Sequence, residues 1–125
     1  MMTNFKYPSE EKLKSKTEIG FLFEKGKWRT QGNLRIIILK NKDTTPVSEL
    51  KFGVSVSKRY FKKAVDRNRL KRILRECFRL NKDLYKESFG EKTHAMLFWI
   101  SPEKPKNYQE VEEIFIKLCT SQRKK

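Results

Sequence analysis

The hydrophobic positions of this chain change period several times, and each change predicts an element. From Thr17 onward, Ile19, Leu22 and Phe23 recur at helical spacing, a short helix capped by Thr17 and closed by Gly26 at its C′ position. Phe21 falls off that stripe, so one large aromatic is expected to be partly exposed. Lys27, Trp28 and Arg29 lead into Leu34-Arg35-Ile36-Ile37-Ile38-Leu39, whose β-branched residues predict a strand. After a polar loop over residues 40–49, residues 50–57 alternate cleanly: Phe52, Val54 and Val56 point one way, and Gly53, Ser55 and Ser57 the other. Small polar residues on one sheet face leave room for something to lie against it.

The period returns to helical over residues 61–79. At about 3.6 residues per turn, Leu70, Ile73, Leu74, Cys77 and Asn81 form one stripe, with Phe78 and Leu80 at its flanks and Asp66 near the start, where a carboxylate complements the dipole. The helix is expected to end near Asn81, before a polar stretch over residues 82–93 that contains Gly90. Residues 95–100 are continuously apolar and of strand length, which predicts a strand buried on both sides and closed by Ser101 and Pro102. Asn107 opens a last helix, with Val111, Ile114, Phe115, Leu118 and Cys119 on its apolar stripe. The predicted order is α-β-β-α-β-α, an α+β fold with helices packed on a small sheet. Residues 1–16 read as a mobile basic arm, 17–122 as a single domain and 123–125 as a basic tail.

Charge changes the picture at the central helix. Between Lys58 and Lys82 stand eleven basic residues and two acids, nine of the fifteen net positive charges of the 125-residue chain. Opposite the apolar stripe, Asn68, Lys71, Arg72, Arg75 and Arg79 fall within roughly 100° with no acid among them. Like charges four apart, such as Lys71 with Arg75, disfavour an isolated helix by a few tenths of a kcal/mol per pair. Most charged faces are simply solvated, but those interleave both signs. A face of cations alone, with Asn68 inside it, points to a polyanion, and RNA or DNA fits that pattern.

Other classes are excluded or weakened. No apolar run reaches the length of a membrane span, and the N-terminus lacks the apolar stretch of a signal peptide, so a cytoplasmic location is expected. Cys77 and Cys119 are too few for a disulfide framework and too far apart in sequence for a metal motif; each sits at an apolar helical position as a small core residue. His94 begins an apolar run with no carboxylate or cysteine beside it, the setting of a structural histidine. No paired carboxylates, metal-ligand cluster or nucleophile with a base stands out, so an active site carried by the protein itself is not expected.

Ala64, Arg67, Asn68, Lys71, Arg72 and Arg75 form the pattern Ala-x-x-Arg-Asn-x-x-Lys-Arg-x-x-Arg, preceded by Phe61 and filled by Leu70 and Leu74. This pattern resembles the signature of the protein subunit of bacterial ribonuclease P. Residues 52–59 are similar to the family's strand leading into the motif. Phe23 and Gly26 are similar to the end of its first helix, and Tyr108-Gln109-Glu110 to the start of its last. The resemblance implies a small, mostly antiparallel sheet with helices and a left-handed βαβ crossover, similar to a domain of a small-subunit ribosomal protein and of elongation factor G.

It also implies a function. The catalyst is an RNA that requires Mg2+, no metal is expected on the protein alone, and the protein assists removal of the 5′ leader from precursor tRNA. By position, Lys58, Arg59, Arg67, Asn68, Arg69, Lys71, Arg72, Arg75 and Arg79 would contact the catalytic RNA. Phe21, Phe23, Trp28, Ser55 and Ser57 would line a cleft for the single-stranded leader, and the protein would be a monomer apart from RNA. One departure stands out. Where the family offers an aromatic on its first strand, this chain has Ile36, Ile37 and Ile38, which shifts stacking to Phe23 or Trp28. The alternative is a general basic RNA-binding module, ribosomal or chaperone-like, with no part in tRNA processing.

Overall fold

A computed structural model describes residues 16–40 and 50–123; the expected N-terminal arm before Lys16, the loop over 41–49 and the last two residues of the tail lie outside the described residues. The elements in chain order are α1 (Lys16–Lys25), β1 (Lys27–Gln31), β2 (Leu34–Lys40), β3 (Lys51–Val56), α2 (Ala64–Leu80), α3 (Lys82–Phe89), β4 (Thr93–Trp99) and α4 (Tyr108–Arg123). The α+β class and all the expected elements are present, with one strand and one helix more than the hydrophobic pattern suggested.

The extra strand, β1, was expected only as a lead-in to β2. It pairs antiparallel with β2 through a two-residue turn, Gly32-Asn33, that brings Gln31 opposite Leu34. Gly32 has φ +57, the conformation a tight hairpin turn asks of its first central residue and one that glycine adopts without steric cost. The extra helix, α3, occupies part of the polar stretch over residues 82–93, for which no element was expected. It buries Tyr85 and Phe89 and exposes Asp83 and Glu87, so its apolar content was too thin to stand out from its charge.

The sheet order is β1-β2-β4-β3, antiparallel except for the β3–β4 pair. Because side chains alternate across a strand, the register sorts the apolar residues into two layers. Leu34, Ile36 and Ile38 of β2, Ala95, Leu97 and Trp99 of β4, and Phe52 of β3 face the larger layer, built with α2, α3 and α4. Ile37 and Leu39 of β2, with Met96 and Phe98 of β4, face a smaller layer that α1 covers with Leu22. β4 is therefore fully buried on its helix-layer face, whereas Met96 and Phe98 on its α1 face are half-buried, so the two-sided burial that its unbroken apolar run implied is only partial.

In the larger layer, Phe78 stacks on Phe52 with ring centroids 3.9 Å apart, and Tyr85 meets both rings edge-on. The Tyr85 hydroxyl is satisfied by Thr93 Oγ1 at 2.7 Å. Phe78, expected at the flank of the α2 stripe, thus lies at its centre, while Ile73 is half-buried and Leu80 is 42% exposed. The buried arc of α2 is turned toward Phe78 because an aromatic fills the space over β3 that a leucine would leave open.

Two further expectations on α1 change. Phe21 is partly exposed as expected, packed at the edge of the layer of Leu22, Ile37 and Leu39, but Phe23, placed on the apolar stripe, is the more exposed of the two at 45%. Gly26 does follow α1, but without a positive φ. Its reason is space: a Cβ there would stand 2.6 Å from the Leu22 carbonyl oxygen and 2.8 Å from Ile37 Cγ1. Glycine lets the chain leave α1 and turn into β1 directly above the sheet.

Candidate nucleic-acid interface

α2 carries the charge. It opens at Ala64, three residues into the helical period read over 61–79 and directly after the basic stretch of residues 58–63, with Lys63 extended (φ −79, ψ 130) and making no side-chain cap. Asp66 does not cap the helix either; it pairs with Lys104 of the β4–α4 loop at 3.0 Å, which places a cation beside the only acid of the first turn. With Leu70, Leu74, Cys77 and Phe78 buried against the sheet, Asn68, Arg69, Arg72 and Arg75 stand exposed on the opposite side and Lys71 is half-buried. Lys58 and Arg59 are exposed in the turn after β3.

Two residues of the expected row are otherwise engaged. Arg79 pairs with Glu76 one turn back, its Nε donating to Glu76 Oε1 at 3.2 Å. Arg67 turns toward the loop, where Nη1 donates to the carbonyl oxygens of Phe61 at 2.9 Å and Lys62 at 2.8 Å. The available row is therefore Lys58, Arg59, Asn68, Arg69, Lys71, Arg72 and Arg75.

A second feature lies on the other face of the sheet, at the end of α1. Phe23 of α1 stacks on Trp28 of β1 (centroids 6.1 Å, planes 12° apart) and on Phe98 of β4 (6.2 Å), and Trp28 meets Phe98 at 5.5 Å. The guanidinium carbon of Arg35 on β2 sits 4.1 Å from the centre of a Trp28 ring, a cation–π contact. Phe23 and Trp28 are 45% and 40% exposed, so the three mutually packed rings form an aromatic cluster open to solvent, with a cation at its rim. Lys51 of β3 reaches Glu18 of α1 at 2.9 and 3.1 Å and ties the helix across the sheet beside it.

Of the five expected cleft residues, Phe23 and Trp28 are brought together. Ser55 is the register partner of Phe98 and is half-buried on the same face. Ser57 lies beyond the strand and shapes the next turn: its Oγ accepts from the Arg59 N–H at 2.9 Å, and its carbonyl from the N–H groups of Tyr60 and Phe61. Phe21 packs within the apolar layer. Phe98 and Arg35 were missed. Both carried a signal: Arg35 is a lone cation inside an apolar strand, and Phe98 alternates with Ala95, Leu97 and Trp99, which face the helices.

The cluster and the basic helix are linked. Ser55 borders Phe98, and two residues on, roughly 7 Å along an extended chain, begins the turn that carries Lys58 and Arg59 into α2. Base faces suit the rings regardless of sequence, and phosphates suit the row.

The remaining chemistry is quiet. Cys77 and Cys119 are buried free thiols, and burial pushes Cys119 up to about 12 and Cys77 higher still, so neither supplies a thiolate near neutrality. His94 is buried in β4. Among the described residues no helix is long and apolar enough to cross a membrane, and no three His, Cys, Asp or Glu side chains gather as a metal site.

Comparison with known proteins shows the family and the fold. The family model described as Ribonuclease P matches residues 7–122. The ribonuclease P protein component of Porphyromonas gingivalis strain W83 is 35% identical over 88 residues, covering 70% of this chain and 64% of that protein. That of Methylococcus capsulatus is 35% identical over 74 residues, covering 59% and 55%. The matched stretch thus spans less than two thirds of these relatives' own length. Among solved structures, the ribonuclease P protein of Staphylococcus aureus superposes with a TM-score of 0.71 at 20% identity, covering 89% of this chain and 94% of that one. That of Thermotoga maritima gives 0.69 at 22%, covering 89% and 96%, and these two likenesses establish the fold.

Proposed function

The chain belongs to the ribonuclease P protein family, and from that premise we propose that it binds the family's catalytic RNA through the exposed face of α2 and the 5′ leader of precursor tRNA through the Phe23–Trp28–Phe98 cluster. The observation that carries this reading is the pairing of the two features across the turn after β3. A basic helix alone would suit any RNA; a basic helix reached directly from an open aromatic cluster suits two RNA segments held side by side.

The protein's part is electrostatic and positional. Cations on a rigid helix neutralise phosphates and reduce repulsion between catalytic RNA and substrate, which matters most when divalent ions are scarce. Stacking of leader bases on Phe23, Trp28 and Phe98, with Arg35 at the rim, adds affinity for precursor over mature tRNA. Hydrolysis belongs to the RNA with its Mg2+, and the protein orients what is cut.

Single-turnover cleavage of a precursor tRNA by bacterial ribonuclease P RNA at low magnesium, with and without the protein, tests this. Stimulation that disappears when the leader is cut to one or two nucleotides is the expected result, with no cleavage by the protein alone. Tight RNA binding without stimulation would instead support a general RNA-binding module.

A further inference from the structure

We propose that Arg67 is a positioning residue: it clasps the turn between β3 and α2 and so sets where Lys58 and Arg59 stand relative to the cations of α2. This rests on the reading of α2 and its preceding turn as the RNA-facing surface.

The argument begins with what holds that turn. Residues 57–63 connect a strand to a helix on the sheet's larger layer, and no side chain caps the helix at Lys63. The first half is organised by Ser57, whose carbonyl oxygen accepts from the N–H groups of Tyr60 at 3.2 Å and Phe61 at 3.1 Å. The side chain of Phe61 then plugs into the core, 5% exposed. Among the described residues, it is the Arg67 side chain that holds the second half. Its Nη1 donates to the carbonyls of Phe61 and Lys62 at 2.9 and 2.8 Å, back across the start of the helix.

Both acceptors are consecutive backbone carbonyls, so the bonds fix the direction of the chain as it enters α2. The bond to Phe61 is part-buried, where a carbonyl left without a donor is costly. Charge-assisted bonds from a planar guanidinium hold such a geometry better than a flexible ammonium does. Asn68, Arg69, Arg72 and Arg75 point the other way, into solvent. The arginine that opens the motif thus acts on the protein's own backbone, and those that follow face outward.

The two roles differ in salt dependence. A direct phosphate contact releases counterions, about 0.7 to 0.9 in the slope of log K against log salt; a clasp changes affinity with little change in slope. The experiment uses the full chain with Arg67→Met, which keeps length but removes the donors and the charge; Arg67→Lys, which keeps the charge; and Arg72→Met for comparison. Two quantities are read: amide exchange of Tyr60 and Phe61 in the RNA-free protein, and affinity for ribonuclease P RNA across a salt series.

Arg67→Met is expected to speed exchange at both amides about fivefold or more and to weaken RNA binding about three- to tenfold, with the slope nearly that of the parent. Arg72→Met is expected to leave exchange unchanged and to lower the slope by about 0.7 to 0.9. In Arg67→Lys, faster exchange with weaker binding supports the clasp, because the charge is retained. Parental exchange at Tyr60 and Phe61 in Arg67→Met overturns it, as does a slope loss equal to that of Arg72→Met. If the parent chain itself fails to bind the RNA, the ribonuclease P reading fails, while the exchange measurement still decides the clasp.

Discussion

At the scale of single residues, burial decides which side chains carry function and which carry the fold. Arg72 and Arg75 are exposed on a helix whose other face is packed, so Arg72→Ala is expected to weaken RNA binding and reduce the salt slope by about 0.7 to 0.9 without moving the melting temperature. An unchanged slope would remove this face from the interface. Gly26→Ala is expected to cost about 1 to 3 kcal/mol in denaturant unfolding, because its Cβ would meet a carbonyl oxygen at 2.6 Å and a β2 side chain at 2.8 Å. The glycine was legible as a helix stop, yet its reason, close approach to the sheet, was not. Burial holds Cys119 at about 12, above the ordinary thiol value near 8.5, so the neutral buried thiol contributes stability that is complete below about pH 8.5 and is lost as pH rises toward 12. A maleimide is accordingly expected to label the folded protein slowly at pH 7 and the denatured protein quickly.

At the scale of elements, α2 joins the core to the interface, and the two faces answer different measurements. Leu74 is wholly buried, so Leu74→Ala is expected to cost on the order of 2 to 5 kcal/mol in chemical denaturation, with RNA affinity per folded molecule little changed. A melting temperature that barely moved would mean the buried face is misassigned. The apolar stripe of α2 was legible because helical period is local, yet its centre was shifted by Phe78, whose place depends on Phe52 in a strand twenty-six positions earlier. α1 is the more lightly held element, with one fully buried residue, Leu22, and the Glu18–Lys51 pair tying it to β3. Those ends are 29% and 19% exposed, so a double-mutant cycle on the pair is expected to give at most about 1 kcal/mol. The two elements absent from the hydrophobic reading differ in kind. β1 carried a hairpin signal in Gly32-Asn33, whereas α3 is eight residues long, too short for a strong period.

At the scale of the whole molecule, the basic face of α2 and the aromatic cluster, both proposed to meet RNA, are built on one sheet, and salt should act on them unequally. Of the residues expected to contact the catalytic RNA, six cations, Lys58, Arg59, Arg69, Lys71, Arg72 and Arg75, are not turned to an intramolecular partner among the described residues, so binding is expected to follow a salt slope of about −4 to −5 or steeper, since Lys62 and Lys63 are also exposed in the turn. A slope near −1 in a filter-binding or anisotropy titration would contradict a helix-wide interface. By itself, the sequence determined the basic face of α2, the apolar stripe behind it, the α+β class and the motif that marks the family, because a helix brings residues three and four apart together wherever it lies. Only the tertiary structure decided that Phe23, Trp28, Arg35 and Phe98 meet, that Ser55 borders them, and that Arg67 faces inward. The cluster with its border draws on one helix and four strands, and those residues become neighbours only once the order and register of the sheet are set. That register is chosen by burying both layers at once, a condition on the whole chain that no local period contains.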